Sequence, residues 1–142
     1  MQRWMCKGKI HRATVTEANL DYVGSITIDR LLMMAADIKP YEMVQVTNFR
    51  NAARWKTYAL PGAEGSGEIC LNGPPARLFE PGDTVVILSM GSFDEREVRE
   101  LAPTVVFVDQ SNSITACKKH KLHNSQGEVN WDELGPGKAG QI

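Results

Sequence analysis

The sequence predicts a mainly β chain folded as a single small barrel with one or two short helices. Short alternating or apolar runs are separated at close intervals by Gly, Pro and Asn turn residues, which is the spacing of a barrel. Helix-forming composition is confined to two brief stretches. At 142 residues and 42% hydrophobic composition, the chain is long enough for one buried core and short for two.

Residues 2–16 alternate loosely around Ile10 and Val15 with several threonines, the pattern of an extended strand. Asp29 has the side chain to cap a short helix over residues 30–36. That helix must end before Pro40, because proline disfavours helical geometry in the residue preceding it. Its apolar residues cover most of the circumference, so it is expected to pack on a sheet. Further strands are expected at 42–49, 54–60, 67–72 and 84–90. Breaks fall at Asn51, Pro61-Gly62, Asn72-Gly73-Pro74-Pro75 and Pro81-Gly82-Asp83. Residues 94–100 suit one or two helical turns, and 104–109 another strand. Pattern alone does not separate this barrel from others of six or seven strands.

From Ser111 the chain is rich in Ser, Asn, Lys, Gly and Gln, with Trp131 and Leu134 nearly alone as large apolar groups. The barrel is therefore expected in residues 1–110. Residues 111–142 are expected as a flexible C-terminal extension, with Trp131 available to pin it to a neighbouring surface. Cys117, His120 and His123 recur every third residue but have no fourth ligand or rigid frame, so a solvated tail is preferred to a metal site. Lys118, Lys119 and Lys121 form a small basic cluster, read as solvated.

The formal net charge of −1 gives no broad attraction for nucleic acid or an anionic membrane. No apolar run approaches the roughly 18–20 residues that span a bilayer, and the first seven residues lack a signal-peptide core. Cys6, Cys70 and Cys117 cannot all pair within one chain and show no metal-finger spacing. A reduced, cytoplasmic compartment is the expectation, with no metal, nucleic-acid or membrane partner.

Among the Gly-Ser pairs, Gly24-Ser25 stands in an unusual setting. A serine hydroxyl can attack the carbonyl before it and turn the peptide bond into an ester. β-Elimination then leaves dehydroalanine, which hydrolyses to a pyruvoyl ketone, an electrophile that no ordinary side chain supplies. Glycine before the serine tolerates a distorted scissile backbone at least steric cost. Taken singly, Gly24-Ser25, Gly65-Ser66 and Gly91-Ser92 are each read as turns.

The surroundings of Gly24-Ser25 distinguish it. The runs Lys9-Ile10-His11-Arg12-Ala13-Thr14-Val15-Thr16 and Asn19-Leu20-Asp21-Tyr22-Val23-Gly24-Ser25-Ile26-Thr27-Ile28-Asp29 lead into Arg54-Trp55-Lys56-Thr57-Tyr58-Ala59. Leu71-Asn72-Gly73 and Pro81-Gly82-Asp83-Thr84-Val85-Val86-Ile87 follow. In order and spacing, from Met1 to about Asp109, these motifs resemble the bacterial pyruvoyl-dependent aspartate decarboxylase family. The resemblance implies a double-psi β-barrel and self-cleavage into chains 1–24 and 25–142. It also implies a pyruvoyl group made from Ser25, in place of pyridoxal phosphate or a metal. The implied reaction converts L-aspartate to β-alanine and CO2, supplying pantothenate synthesis, in a homotetramer whose sites lie between subunits. Whether a maturation partner assists cleavage stays open.

The same resemblance assigns roles. Ser25 becomes the ketone that condenses with the substrate amine as an imine. Arg54 holds a substrate carboxylate through a planar, two-pronged guanidinium, and Lys9 adds a second positive charge. Tyr58 returns a proton from its phenol to the carbanion. Thr57 polarises the Gly24 carbonyl during cleavage and later contacts substrate. Asn72 orients the processing site, Gly73 offers an unobstructed N–H, and the loop at Pro74 and Pro75 adjoins substrate. Tyr22 and His11 line the pocket. Read without the family, Arg54 is a surface residue, Tyr58 and Thr57 are ordinary strand residues, His11 is a satisfied strand histidine and Asn72-Gly73 is a hairpin turn. Arg54 and Tyr58 share a strand face while Thr57 points the other way, so using all three needs a bulge or an intersubunit pocket.

Three features depart from the family pattern. Pro74-Pro75 replaces Ala-Ala and removes two backbone donors. Ala52 stands where glycine is usual, and the arginine often found before Gly65-Ser66 is missing. Two other readings accompany the decarboxylase: an uncut barrel that serves as a binding module, and a pyruvoyl decarboxylase of another acidic amino acid.

Overall fold

The computed structural model describes residues 1–135. In chain order the elements are β1 (Gln2–Thr14), β2 (Glu17–Asn19), β3 (Ser25–Asp29), α1 (Arg30–Ala35), β4 (Met43–Asn48), β5 (Arg54–Gly62) and β6 (Ile69–Asn72). A 3₁₀ turn (Pro74–Arg77), β7 (Thr84–Asp94), α2 (Glu95–Glu100), β8 (Thr104–Val108) and β9 (Ile114–Lys119) complete the order. The chain is mainly β, as the sequence predicts.

The strands run β2-β6-β3-β5-β4-β7-β1-β8-β9 across one sheet. Its two halves are joined by the chain itself. β1 pairs with β7 at one side of the sheet, while its continuation β2 pairs with β6 at the other. Between them Val15 N–H donates to the Asp83 carbonyl and Thr16 N–H to the Ile69 carbonyl, both at 2.8 Å. The Thr16 hydroxyl also bridges the Ile69 carbonyl and N–H. A sheet closed in this way is a barrel, and closure leaves few backbone edges exposed. Parallel pairings β1·β8, β2·β6 and β3·β5 give the connections crossovers that a simple meander lacks.

Strand alternation fills the interior. Ile10, Ile26, Ile28, Val44, Val46, Ile69, Leu71, Val85 and Ile87 are fully buried in one core with Phe79. Each such side chain contributes roughly 1.5–3 kcal/mol by leaving water. The Asp29 carboxylate accepts from Leu31 N–H, capping α1, and from Gly65 and Gly67 N–H, tying the 63–67 loop to the helix. Leu32 and Met33 then pack against the sheet. α1 ends close to β1, where a Cβ on Gly8 would stand 2.3 Å from the Ala36 carbonyl oxygen. α2 carries a capping box between Asp94 and Glu97.

Three elements differ from expectation. The strand expected over 2–16 ends at Thr14 as β1, and the short β2 (Glu17–Asn19) follows it without having been expected. β3 was not among the expected strands, although it alternates cleanly. Residues 114–119, expected within a flexible extension, form β9 against β8. β9 is polar and largely exposed because it lies at the sheet edge. Its hold is main-chain pairing, with Lys118 Nζ 5.4 Å from the Phe107 ring centroid, so hydrophobic pattern cannot reveal it. Beyond it, His120 N–H donates to the Pro103 carbonyl, and Asn124 Oδ1 closes a turn by accepting from Gln126 and Glu128 N–H. Trp131 is 80% exposed and is not packed into the core of the described residues. Residues 136–142 of the expected extension lie outside the described residues.

Candidate active site around Ser25

β3 and β6 run antiparallel with Ser25 opposite Asn72 and Thr27 opposite Cys70. Alternation sends Ile26, Ile28, Ile69 and Leu71 into the core and turns Ser25, Thr27, Cys70 and Asn72 to the other face. Ser25 is nevertheless only 1% exposed and Asn72 3%. Asn72 Nδ2 donates to Ser25 Oγ at 3.3 Å and to Thr27 Oγ1 at 3.0 Å. Its Oδ1 accepts from the Cys70 thiol at 3.1 Å. The Ser25 hydroxyl donates weakly to the Val23 carbonyl at 3.5 Å.

Gly73 supports this pair from behind. It adopts φ 81°, ψ −147°, a conformation reserved for glycine, and its N–H donates to the Asn19 carbonyl at 2.9 Å. A Cβ there would stand 2.8 Å from Gly24 Cα and 3.1 Å from Gly24 N. The left-handed glycine of the site is thus Gly73, whereas Gly24 is not among the glycines of positive φ. Pro74 and Pro75 open the 3₁₀ turn, where their missing N–H groups would have had no partner within the turn. Pro74 Cδ lies 3.8 Å from where a Gly24 Cβ would be.

A cleft of about 400 Å³ adjoins the group, lined by Glu17, Asn19, Tyr22, Thr27, Glu68 and Asn72 among others. Glu17 and Glu68 make it acidic, and no lysine or arginine lines it. Burial, reinforced by Glu17 and Glu68, pushes the Cys70 thiol up to about 11, so it remains a hydrogen donor at neutral pH. A larger groove of about 520 Å³ beside α1 is lined by Arg30, Met33, Met34, Asp37, Ile38 and Lys39 and does not include Ser25.

The remaining expected residues divide. β5 runs parallel to β3 with Ala59 beside Ile26 as the first paired residues; continued one residue back, that register brings Tyr58 level with Ser25, and two residues back, Thr57 level with Gly24. Thr57 points inward at 7% exposure, while Arg54 and Tyr58 lie on the outer face, as alternation predicts. Tyr58 stacks on Tyr41, with ring centroids 5.3 Å apart. Arg54 is exposed and has no ion pair among the described residues. Four residues along β5, it stands about 13 Å from Tyr58. Lys9 and His11 flank the core residue Ile10 on β1 between β7 and β8, and neither lines the cleft. Burial, with Lys9 and Arg12 nearby, lowers the His11 pKa and so disfavours the imidazolium. Its ring meets Phe107 edge-on at 5.8 Å.

One protomer therefore assembles Gly24, Ser25, Asn72, Gly73 and Pro74, with Thr57 and Tyr58 on the adjoining strand and Tyr22 in the cleft. Arg54, Lys9 and His11 stand apart. Sequence reasoning missed Thr27, Cys70, Glu17 and Glu68. The period-two alternation of 25–28 and 69–72 carried the signal for the first two, but only the pairing of β3 with β6 brings them together. Among the described residues, no three His, Cys, Asp or Glu side chains converge as a metal cage.

The fold and the site define a small, mainly β barrel with a buried hydroxyl at the head of one strand, held by a side-chain amide. A profile of the aspartate decarboxylase family matches residues 1–115. An aspartate 1-decarboxylase of Moorella thermoacetica is 58% identical over 119 residues, covering 84% of this chain and 93% of that protein. Those of Heliobacterium modesticaldum (58%, covering 82% of this chain and 88% of that protein) and Acetivibrio thermocellus (56%, 88% and 97%) are similar. The chain belongs to the aspartate decarboxylase family.

Proposed function

We propose that the chain cuts itself between Gly24 and Ser25 and then converts L-aspartate to β-alanine and CO2, the supply reaction for pantothenate. The observation that carries this is the buried Ser25 hydroxyl, held by Asn72 Nδ2 at 3.3 Å directly after Gly24. The amide N–H favours alkoxide character on the attacking oxygen. Ser25 Oγ bonds to the Gly24 carbonyl carbon, the C–N bond breaks, and the freed nitrogen takes the proton. Loss of the Ser25 Cα proton then expels the Gly24 carboxylate from Cβ. One water converts the resulting enamine to a ketone and releases ammonia. The catalytic unit is residues 1–110 in two pieces, 1–24 and the start of 25–142.

Once formed, the pyruvoyl ketone supplies an electron sink for loss of the substrate α-carboxylate. Tyr58, on the strand beside Ser25, is the proton donor to the former α-carbon. Thr57 sits beside Gly24 and serves the cleavage step. The cleft walls repel an anionic amino acid unless cations join them. Arg54, exposed and unpaired, meets that need from a neighbouring copy in a homotetramer, with Lys9 as a second charge. Tyr22, with His11 from a neighbouring copy, completes the pocket, and Gly73, Pro74 and Pro75 offer carbonyls and ring surface to the substrate. The setting we infer is the cytoplasm.

The test is aspartate-dependent release of CO2 and β-alanine by purified protein, with Ser25→Ala as the inactive control. Turnover of glutamate in preference to aspartate would move the substrate to another acidic amino acid. An inert protein with a fully cut chain would refute the decarboxylase reading.

A further inference from the structure

Asn72 must present its nitrogen, and not its oxygen, to Ser25 for the amide to assist attack. An asparagine amide is nearly symmetric in shape, so only its hydrogen-bond partners decide which end faces which way. Toward Ser25 Oγ and Thr27 Oγ1 both orientations are permissible, because hydroxyls donate as well as accept. The deciding partner lies at the other end. Cys70 Sγ stands 3.1 Å from Asn72 Oδ1, both residues are buried, and a thiol is a far better donor to an amide oxygen than acceptor from an NH2.

We infer that Cys70 is a positioning residue for self-cleavage: its thiol fixes the Asn72 amide so that Nδ2 faces the attacking oxygen of Ser25. This rests on the cleavage reading given above. Flipped, the amide would present Oδ1, draw the Ser25 hydroxyl proton toward itself and turn its own NH2 onto the weakly accepting sulfur. The thiol would then have no oxygen to meet, and the nucleophile would lose its N–H donor. Burial first, and then the charges of Glu17 and Glu68, disfavour a thiolate and keep the proton on sulfur. Cys70 lines the cleft, but its part in cleavage is through Asn72 and not through the scissile bond.

The experiment follows the Gly24–Ser25 cut over time, by mass, in freshly expressed parent, Cys70→Ser, Cys70→Ala, Asn72→Ala and the Cys70→Ala/Asn72→Ala double variant, with melting temperatures alongside. Serine keeps a donor to Asn72 Oδ1, so Cys70→Ser should cleave at close to the parent rate. Cys70→Ala should be slower by roughly three- to tenfold, the range for one uncharged hydrogen bond. In the Asn72→Ala background the alanine at 70 should slow cleavage no further, because the group it positions is gone. Parent-like cleavage in Cys70→Ala, or equal slowing by serine and alanine that tracks melting temperature, would overturn the inference while leaving self-cleavage intact. A parent chain that never cleaves would overturn both.

Discussion

Gly73 and Gly24 pack backbone to backbone: a Cβ on the first would stand 2.8 Å from the Cα of the second. Gly73→Ala therefore meets two obstacles, a glycine-only φ/ψ and a clash with the segment that must be cut. The strain is about 1–3 kcal/mol, and relief means displacing residues 22–24 from Ser25. The variant should melt lower and cleave at least about tenfold more slowly, as read by the ratio of intact to cut chain. Cleavage at the parent rate would show that the close approach plays no part in processing.

Tyr58 and Arg54 separate chemistry from recognition. Tyr58→Phe keeps the stack on Tyr41 but removes the phenolic proton, so the chain should still be cut while kcat falls by about 10²–10⁴. Arg54→Ala should act mainly on KM for aspartate, and Arg54→Lys should restore it only in part because an ammonium lacks the two-pronged fit. Steady-state kinetics on fully cut protein distinguishes the two patterns.

Asp83 sets an acid limit on the fold. Arg50 donates to both its oxygens at 2.8 and 3.0 Å, and Asn48 Nδ2 and Glu80 N–H add two more bonds. These bonds, Arg50 first, hold its carboxyl at about 2 against an ordinary 3.8. Because the folded value is depressed, the stabilisation is complete above about pH 4 and is lost as pH falls toward 2. With Arg50 half-exposed, its size is on the order of 1–2 kcal/mol. Asp83→Asn should be less stable than the parent at pH 7, and the gap should shrink between pH 5 and 2 in denaturant melts.

Ala52 occupies the left-handed region at φ 60°. A side chain there costs about 1–2 kcal/mol, offset in part by the greater freedom glycine has when unfolded. Ala52→Gly should raise stability by roughly 0.5–1 kcal/mol, visible as a higher melting temperature. An unchanged or lower value would mean that the turn from Asn48 to Ala53 holds alanine without strain.

Much of the barrel was legible because its strands alternate between buried and exposed positions and end in Pro-Gly or Asn-Gly breaks. The α1 cap at Asp29 was legible for the same local reasons. β9 was not, since an edge strand held by backbone pairing needs no apolar face. Within the site, the opposite facing of Arg54 and Thr57 could be read from spacing alone. That Asn72 reaches Ser25 and Thr27, and that Gly73 rather than Gly24 takes the left-handed conformation, depends on how β3 pairs with β6 and on the close approach of two loops. Those contacts link residues almost fifty positions apart and leave no local pattern.

Intact-mass spectrometry of the denatured protein tests the central claim most directly. Self-cleavage at Gly24–Ser25 predicts two chains, 1–24 and 25–142, the larger about 17 Da lighter than simple hydrolysis would give because ammonia has left. A single uncut 15.7 kDa species that persists through warm incubation would contradict the account.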